Sequence, residues 1–173
     1  MLRPSGATDA PPARRVRGRR SSLVLGVLVL TAVVSTRWVR LNLSASLPYG
    51  LYRMKAVPAE PHRGILVVLP VPASVQHVWS SWVPLLKPVA AVPGDIVCYE
   101  HAHLTVNGSD YGPVSLETHG TPLPHLDAGC QTVPEGMVFL ASQAPKSLDG
   151  RYLGMTPVAS LAAVATPVLT WSE

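Results

Sequence analysis

With 173 residues, the chain is long enough for one domain with a real core plus an appended segment. Its 18 prolines and 13 glycines are spread out rather than clustered, which argues for short strands and turns and against long helices or a low-complexity tail. The net charge of +4 divides unevenly: residues 1–40 carry eight arginines against one aspartate, a net +7, and residues 41–173 carry six basic against nine acidic residues, a net −3, so the body has no basic surface suited to nucleic acid.

Residues 1–20 are rich in Pro, Gly, Ala and Arg, with Arg14, Arg15, Arg17, Arg19 and Arg20 close together, and predict a disordered basic tail. The sixteen residues from Ser21 to Thr36 carry no charge, and Arg37, Trp38 and Arg40 follow them. Sixteen is a little short of the roughly 20 apolar residues that span a bilayer. An interfacial Trp38 and snorkelling arginines make up the difference. The segment is therefore read as a retained single-pass anchor over residues 21–39. The competing reading is a cleaved secretory signal, whose basic and apolar regions fit but whose small-x-small cleavage site is missing. The basic cluster lies N-terminal, so the positive-inside bias keeps the tail in the cytoplasm and the body, residues 41–173, faces outward across the membrane.

The body predicts a mainly β, largely antiparallel domain. Residues 65–69, 96–99 and 137–141 read as short strands, and 104–108 as a strand ending in the Asn107-Gly108 hairpin signal. Residues 158–170 suit a strand, although their alanines leave a helix open. Residues 71–84 are ambiguous: Val75, Val78, Trp79 and Trp82 line one helical face or an apolar loop, and the tryptophans suit a membrane interface. Cys98 and Cys130 are an even pair in an oxidising compartment, which allows one disulfide; two reduced core cysteines are the alternative.

Three stretches carry candidate chemistry. In Leu85-Leu86-Lys87-Pro88-Val89-Ala90-Ala91-Val92-Pro93-Gly94-Asp95, a lone lysine interrupts an apolar run. On a strand, Lys87, Val89 and Ala91 share a face. A desolvated lysine there acquires a lowered pKa and becomes a base near neutral pH; otherwise its stem is buried and its head reaches water. In Asn42-Leu43-Ser44-Ala45-Ser46-Leu47-Pro48-Tyr49-Gly50-Leu51-Tyr52, two serines mark a turn entering a strand. Beside a lysine base, one of them becomes a candidate nucleophile. In Ser147-Leu148-Asp149-Gly150-Arg151-Tyr152-Leu153-Gly154, either Asp149 and Arg151 form a surface ion pair, or Ser147 and Asp149 hydrogen-bond to the lysine base and orient it.

Taken together, PLLKPVAAVPGD, SxSxPxGLY and SLDGRYLG resemble the lysine, serine and C-terminal boxes of the S26 signal peptidases, and specifically of their conjugative-transfer (TraF-type) subfamily, over residues 42–157. The resemblance implies a signal-peptidase-like β-rich catalytic domain with Ser46 as nucleophile and Lys87 as general base. It makes Ser44 an oxyanion-hole hydroxyl, Ser147 and Asp149 residues that position the lysine, and Arg151 a structural residue. The chain departs from the general signal-peptidase pattern in lacking a Ser-Met pair and in being one residue tighter before Pro48, and Gly150 stands where a serine is frequent. The implied reaction is cleavage, or cyclisation, of a membrane-associated precursor such as a pilin or an exported preprotein, beside the lipid bilayer. The rivals are a general signal peptidase and a non-catalytic anchored assembly factor. No cofactor is expected. Of the histidines, only His101 and His103 have a spacing that puts two rings on one strand face, and no further zinc ligands accompany them.

Overall fold

Prolines and glycines cut the body into short extended runs, and each run finds its hydrogen-bond partners in an antiparallel neighbour. The computed structural model describes residues 24–26, 38–44, 46–77 and 79–171. The expected tail, and the expected anchor apart from residues 24–26 and 38–39, lie outside the described residues. Residues 24–26 are helical, and Val39 already belongs to a strand rather than to the anchor. No helix among the described residues is long and apolar enough to cross a membrane.

Arg37–Glu173 forms one unit, mainly β. Its larger sheet has seven strands in the order β1 (Val39–Asn42), β2 (Tyr49–Lys55), β13 (Ala163–Trp171), β3 (Leu66–Leu69), β4 (Leu85–Ala91), β11 (Met137–Leu140) and β12 (Met155–Pro157). A second sheet orders β10 (Gly129–Thr132), β5 (Ile96–Glu100), β6 (His103–Val106) and β7 (Ser109–Pro113). Two two-residue strands, β8 (Glu117–Thr118) and β9 (Thr121–Pro122), make a separate hairpin. Residues 158–170 thus form a single 3-10 turn, Val158–Ser160, and then strand β13, whose central position is fixed by pairing with both β2 and β3.

Strand β4 is the spine of the larger sheet. It pairs with β3 through Leu85↔Leu69 and Lys87↔Val67, and with β11 through Val89↔Leu140 and Ala91↔Phe139. Pro88 lacks an N–H for a ladder, and the register with β11 shifts just beyond it, between Val89 and Ala91. Val67, Leu85, Val89, Val138 and Leu140 pack into one core cluster around this spine. Ala91, Val97, Leu104, Phe139 and Tyr152 form a second cluster toward the smaller sheet. The turn after β4 is pinned by Asp95, which accepts from Val92 N (2.9 Å), Asn107 Nδ2 (2.9 Å) and Arg63 Nε (2.6 Å). The Arg63 hydrogen bond leads the causes that hold the Asp95 carboxyl well below the usual carboxylate range. Gly94, at φ +86°, supplies the left-handed step in that turn.

The hairpin expected at Asn107-Gly108 is present: both residues have positive φ (48° and 76°), and Val106 pairs with Ser109 across them. Of the two readings of residues 71–84, the described residues fit the apolar loop: among them the one helical piece is a 3-10 turn, Ala73–Val75, in which Val75 is fully buried; Trp79 is half-buried and Trp82 is 90% exposed, while Val78 lies outside the described residues. His101 and His103 do not share a strand face, because His101 (φ +52°) sits in the turn before β6, and His103 pairs with Asp110 at 2.6 Å.

Cys98 and Cys130 stand opposite each other on β5 and β10 and are joined by a disulfide. The bridge closes 32 positions of chain, which in the chain-entropy picture stabilises by about 3–4 kcal/mol. Replacing both cysteines by serine should lower the urea midpoint by a corresponding amount. An unchanged midpoint would show that the two strands hold the loop without the bridge.

Candidate active site

The serine loop is built by the end of one strand. β1 closes on Asn42, whose buried amide folds residues 43–48 back on themselves. Its Nδ2 donates to the carbonyls of Ser44 (3.2 Å), Leu47 (3.3 Å) and Pro48 (3.1 Å), and its Oδ1 accepts from Ser44 N (3.3 Å) and Ser44 Oγ (2.7 Å). Tyr52, 1% exposed, braces the far end by donating its hydroxyl to Pro48 O at 2.7 Å. Gly50 follows because β13 passes too close for a side chain: a Cβ there would overlap the carbonyl oxygen of Leu169. The result is a tight turn with Ser44 Oγ 3.5 Å from Ser46 Oγ.

Lys87 comes from the middle of β4 and is 4% exposed. Its Nζ lies 2.8 Å from Ser46 Oγ and 2.9 Å from Ser147 Oγ, donating to both. Desolvation lowers its pKa from the ordinary lysine value to about 8; Asp149 opposes that shift and Arg151 adds to it. A lysine so placed gives up its proton far more readily near neutral pH than an exposed one. Its lone pair can then take a proton from a hydroxyl it already touches.

The third box lies beneath the lysine. Asp149 caps the single-turn helix α1 (Gly150–Leu153) through Arg151 N. Its other oxygen accepts from Ser142 N (3.0 Å) and Arg151 Nη1 (2.6 Å). Asp149 and Arg151 are both fully buried, so the pair is not on the surface. Asp149 also makes no hydrogen bond to Lys87. It acts on the amine through charge, and Ser147 alone of the third box touches it. The Arg151 guanidinium ties Ser142 O (3.1 Å) and the carbonyl of Tyr111 on β7 to the same centre, leaving its Nε without a partner. A buried pair of this kind is costly to break from one side, because the survivor is left as an uncompensated charge.

Three cavities meet at these groups. One of about 650 Å³ runs between β1 and the start of β4, past Leu41, Leu43, Trp82 and Leu86, and reaches Ser44 and Lys87. One of about 590 Å³ opens onto Ser44, Ser46, Lys87 and Ser147 together, with Glu117 and Lys146 on its wall. One of about 470 Å³ touches Ser46 between Pro48, Pro88 and Ser142. The fold therefore brings together Ser44, Ser46, Lys87 and Ser147, with the Asp149–Arg151 pair as support. Sequence reasoning did not single out Asn42 or Ser142. Asparagine at a strand end before two serines is the one local signal that pointed to a built turn.

The antiparallel β scaffold thus brings a buried lysine into hydrogen-bond contact with a loop serine. The chain belongs to the signal peptidase family, peptidase S26, whose profile matches residues 19–171. It is similar to a conjugal transfer protein TraF of Agrobacterium tumefaciens (strain 15955), with 32% identity over 90% of this chain and 99% of that one. It also resembles a plasmid transfer protein TraF of Escherichia coli, at 26% identity over 83% of this chain and 90% of that one. A signal peptidase I from Enterococcus faecalis V583 overlays 62% of this chain and 97% of its own at a TM-score of 0.38 and 22% identity.

Gly150, where a serine is frequent in the resembling box, has no room for a side chain here. A Cβ would meet Leu140 O at 2.6 Å and the Phe139 ring at 2.7 Å. Gly150→Ser should therefore destabilise by about 1–3 kcal/mol, as overpacking against a filled core does. A thermal melt indistinguishable from the native protein would contradict this.

Proposed function

We propose that the protein is a membrane-anchored serine endopeptidase with a Ser46–Lys87 dyad, which processes an exported or pilin-type precursor in conjugative transfer or secretion. The observation that carries the reading is the 2.8 Å contact between Ser46 Oγ and a lysine amine that burial holds near a pKa of 8. Membership of the peptidase family supports the reaction class. The names of the TraF relatives support the setting.

In the first half-reaction, neutral Lys87 takes the Ser46 proton as Oγ bonds to the scissile carbonyl carbon. The oxyanion is met by the Ser46 N–H and the Ser44 hydroxyl. Lys87 then protonates the leaving amine as the C–N bond breaks, and returns to its neutral form. In the second, Lys87 takes a proton from water for hydrolysis, or from an incoming peptide amine for cyclisation, as that nucleophile bonds to the acyl carbon; the acyl–Oγ bond then breaks and Lys87 returns the proton to Ser46 Oγ, restoring the hydroxyl and the neutral amine. Ser147 holds the amine on the Ser46 side throughout. Asp149 and Arg151 fix the segment that carries Ser147. No metal or cofactor enters these steps. The cavity between β1 and β4 suits an extended polypeptide, because residues of both strands line it and Lys87 is among them.

An apolar rim supports a seat at the bilayer. Leu41, Leu51 and Leu169 are laterally paired across β1, β2 and β13; Leu41 and Leu169 are exposed, as are Trp38, Trp82 and Trp171. Tryptophans beside a leucine surface are favoured at a membrane interface. The retained anchor over residues 21–39, with a cytoplasmic tail and a periplasmic body, belongs to the same proposal.

The test uses the full chain in detergent and an acetylated tetra-alanine p-nitrophenyl ester. Ser46→Ala and Lys87→Ala should remove the burst of p-nitrophenol by at least 10³-fold while leaving the melt cooperative. Undiminished acylation in either variant would overturn the dyad. Because the active species is the neutral amine, acylation should rise about tenfold per pH unit below the pKa and level off above about pH 8. A profile flat from pH 6 to 9 would contradict the assignment of the base.

A further inference from the structure

The geometry points to Asn42 as a positioning residue for acyl transfer that acts through the Ser44 hydroxyl. The inference rests on the acyl-transfer reading of Ser46 and Lys87 above and adds a residue to it. Asn42 is 7% exposed, so its amide must find partners within the protein. Three carbonyl oxygens, from Ser44, Leu47 and Pro48, lie 3.1–3.3 Å from one end of that amide. Carbonyls only accept, so this end is the NH₂ group and the amide orientation is settled by its surroundings. The Oδ1 end consequently faces Ser44, and an amide oxygen likewise only accepts. The single Ser44 hydroxyl proton is therefore directed to Asn42 Oδ1, at 2.7 Å.

Two consequences follow for the reacting centre. The Ser44 side chain is held in one rotamer, with its Oγ 3.5 Å from Ser46 Oγ, beside the place where the carbonyl oxygen becomes an oxyanion. Its proton, however, is directed away from that place in the resting protein. When negative charge develops, the proton can turn from a neutral amide oxygen to an anion, a stronger acceptor. Asn42 Oδ1 then keeps the Ser44 N–H at 3.3 Å, so the loop retains an anchor while the hydroxyl rotates. Asn42 thus holds the Ser44 oxygen without permanently using its proton. The contribution appears in the transition state, where the oxyanion exists, and not in ground-state binding.

A double-mutant cycle on the full chain in detergent tests this, with the acetylated tetra-alanine p-nitrophenyl ester as probe. Asn42→Ala and Ser44→Ala should each lower kcat of acylation roughly 10–100-fold with KM within about threefold of native. The double variant should be no more than about threefold slower than the slower single variant, because both substitutions remove the same hydroxyl from the oxyanion. The midpoint of the pH profile should stay where Lys87 sets it. If the two losses multiply, or if Asn42→Ala acts on KM alone, the inference is overturned, since a residue that merely shapes the loop gives those results. Should Asn42→Ala melt below the assay temperature, Asn42→Ser, which keeps a short polar turn former at the end of β1, carries the same cycle. Failure of the underlying reading looks different: the native protein would then acylate no faster than Ser46→Ala, and the inference would fall with it.

Discussion

An amine that water would keep charged is held where water barely reaches it, and most of the structure around the site answers that constraint. A primary ammonium placed in an apolar strand face is unstable unless it is paired or gives up its proton. Lys87 has no carboxylate bonded to it. Its nitrogen meets two serine hydroxyls, groups able to accept from the amine or, for Ser46, to yield a proton to it. The carboxylate that acts on it, Asp149, is already bonded to Arg151, so it softens the loss of solvation without restoring an ordinary lysine. The same burial that makes the lysine costly to fold makes it a base near neutral pH.

Keeping the amine at a serine requires three elements distant in sequence to stay in register. β4 supplies Lys87, and its end is fixed by the Asp95 turn locked to Arg63 and Asn107. The loop between β1 and β2 supplies Ser46, and its shape is fixed by Asn42 and Tyr52. The segment after β11 supplies Ser147, and is held at Ser142 and Asp149 by a buried ion pair. Each anchor is a polar group with nearly all its partners inside the protein, and such networks set geometry more firmly than they add stability. Gly50 and Gly150 mark the two points where backbones approach too closely for a side chain.

Much of this was legible in the residues because local chemistry and position agreed. A lone lysine within an apolar run ending in Pro-Gly-Asp left open a buried base on a strand and a lysine whose head reaches water, while Asn107-Gly108 indicated a two-residue hairpin, a signal that acts over a few residues. The ordering of strands was not legible: β13, the last in the chain, lies between β2 and β3, a pairing with no local trace. Residues 71–84 stayed ambiguous between a helical face and a loop, because an apolar pattern at helical spacing says nothing about whether the chain continues as a helix. Asp149-Gly150-Arg151 looked equally suited to an exposed turn, and only the packing of Phe139 and the carbonyls of Tyr111 and Ser142 explain why an ion pair is enclosed there. Asn42 was overlooked for a related reason. Its role depends on where three carbonyls end up after the loop folds.

The most direct measurement of the central claim is a titration of the Lys87 side chain itself. Nuclear magnetic resonance of protein labelled at the lysine side-chain carbons and nitrogens, with Lys87→Met identifying the signal, follows the charge on Nζ as pH is raised. The account predicts that Lys87 titrates near pH 8, and in Ser46→Ala still far below the ordinary value because burial leads the shift. A Lys87 signal titrating at the ordinary lysine value of 10.5 would contradict it.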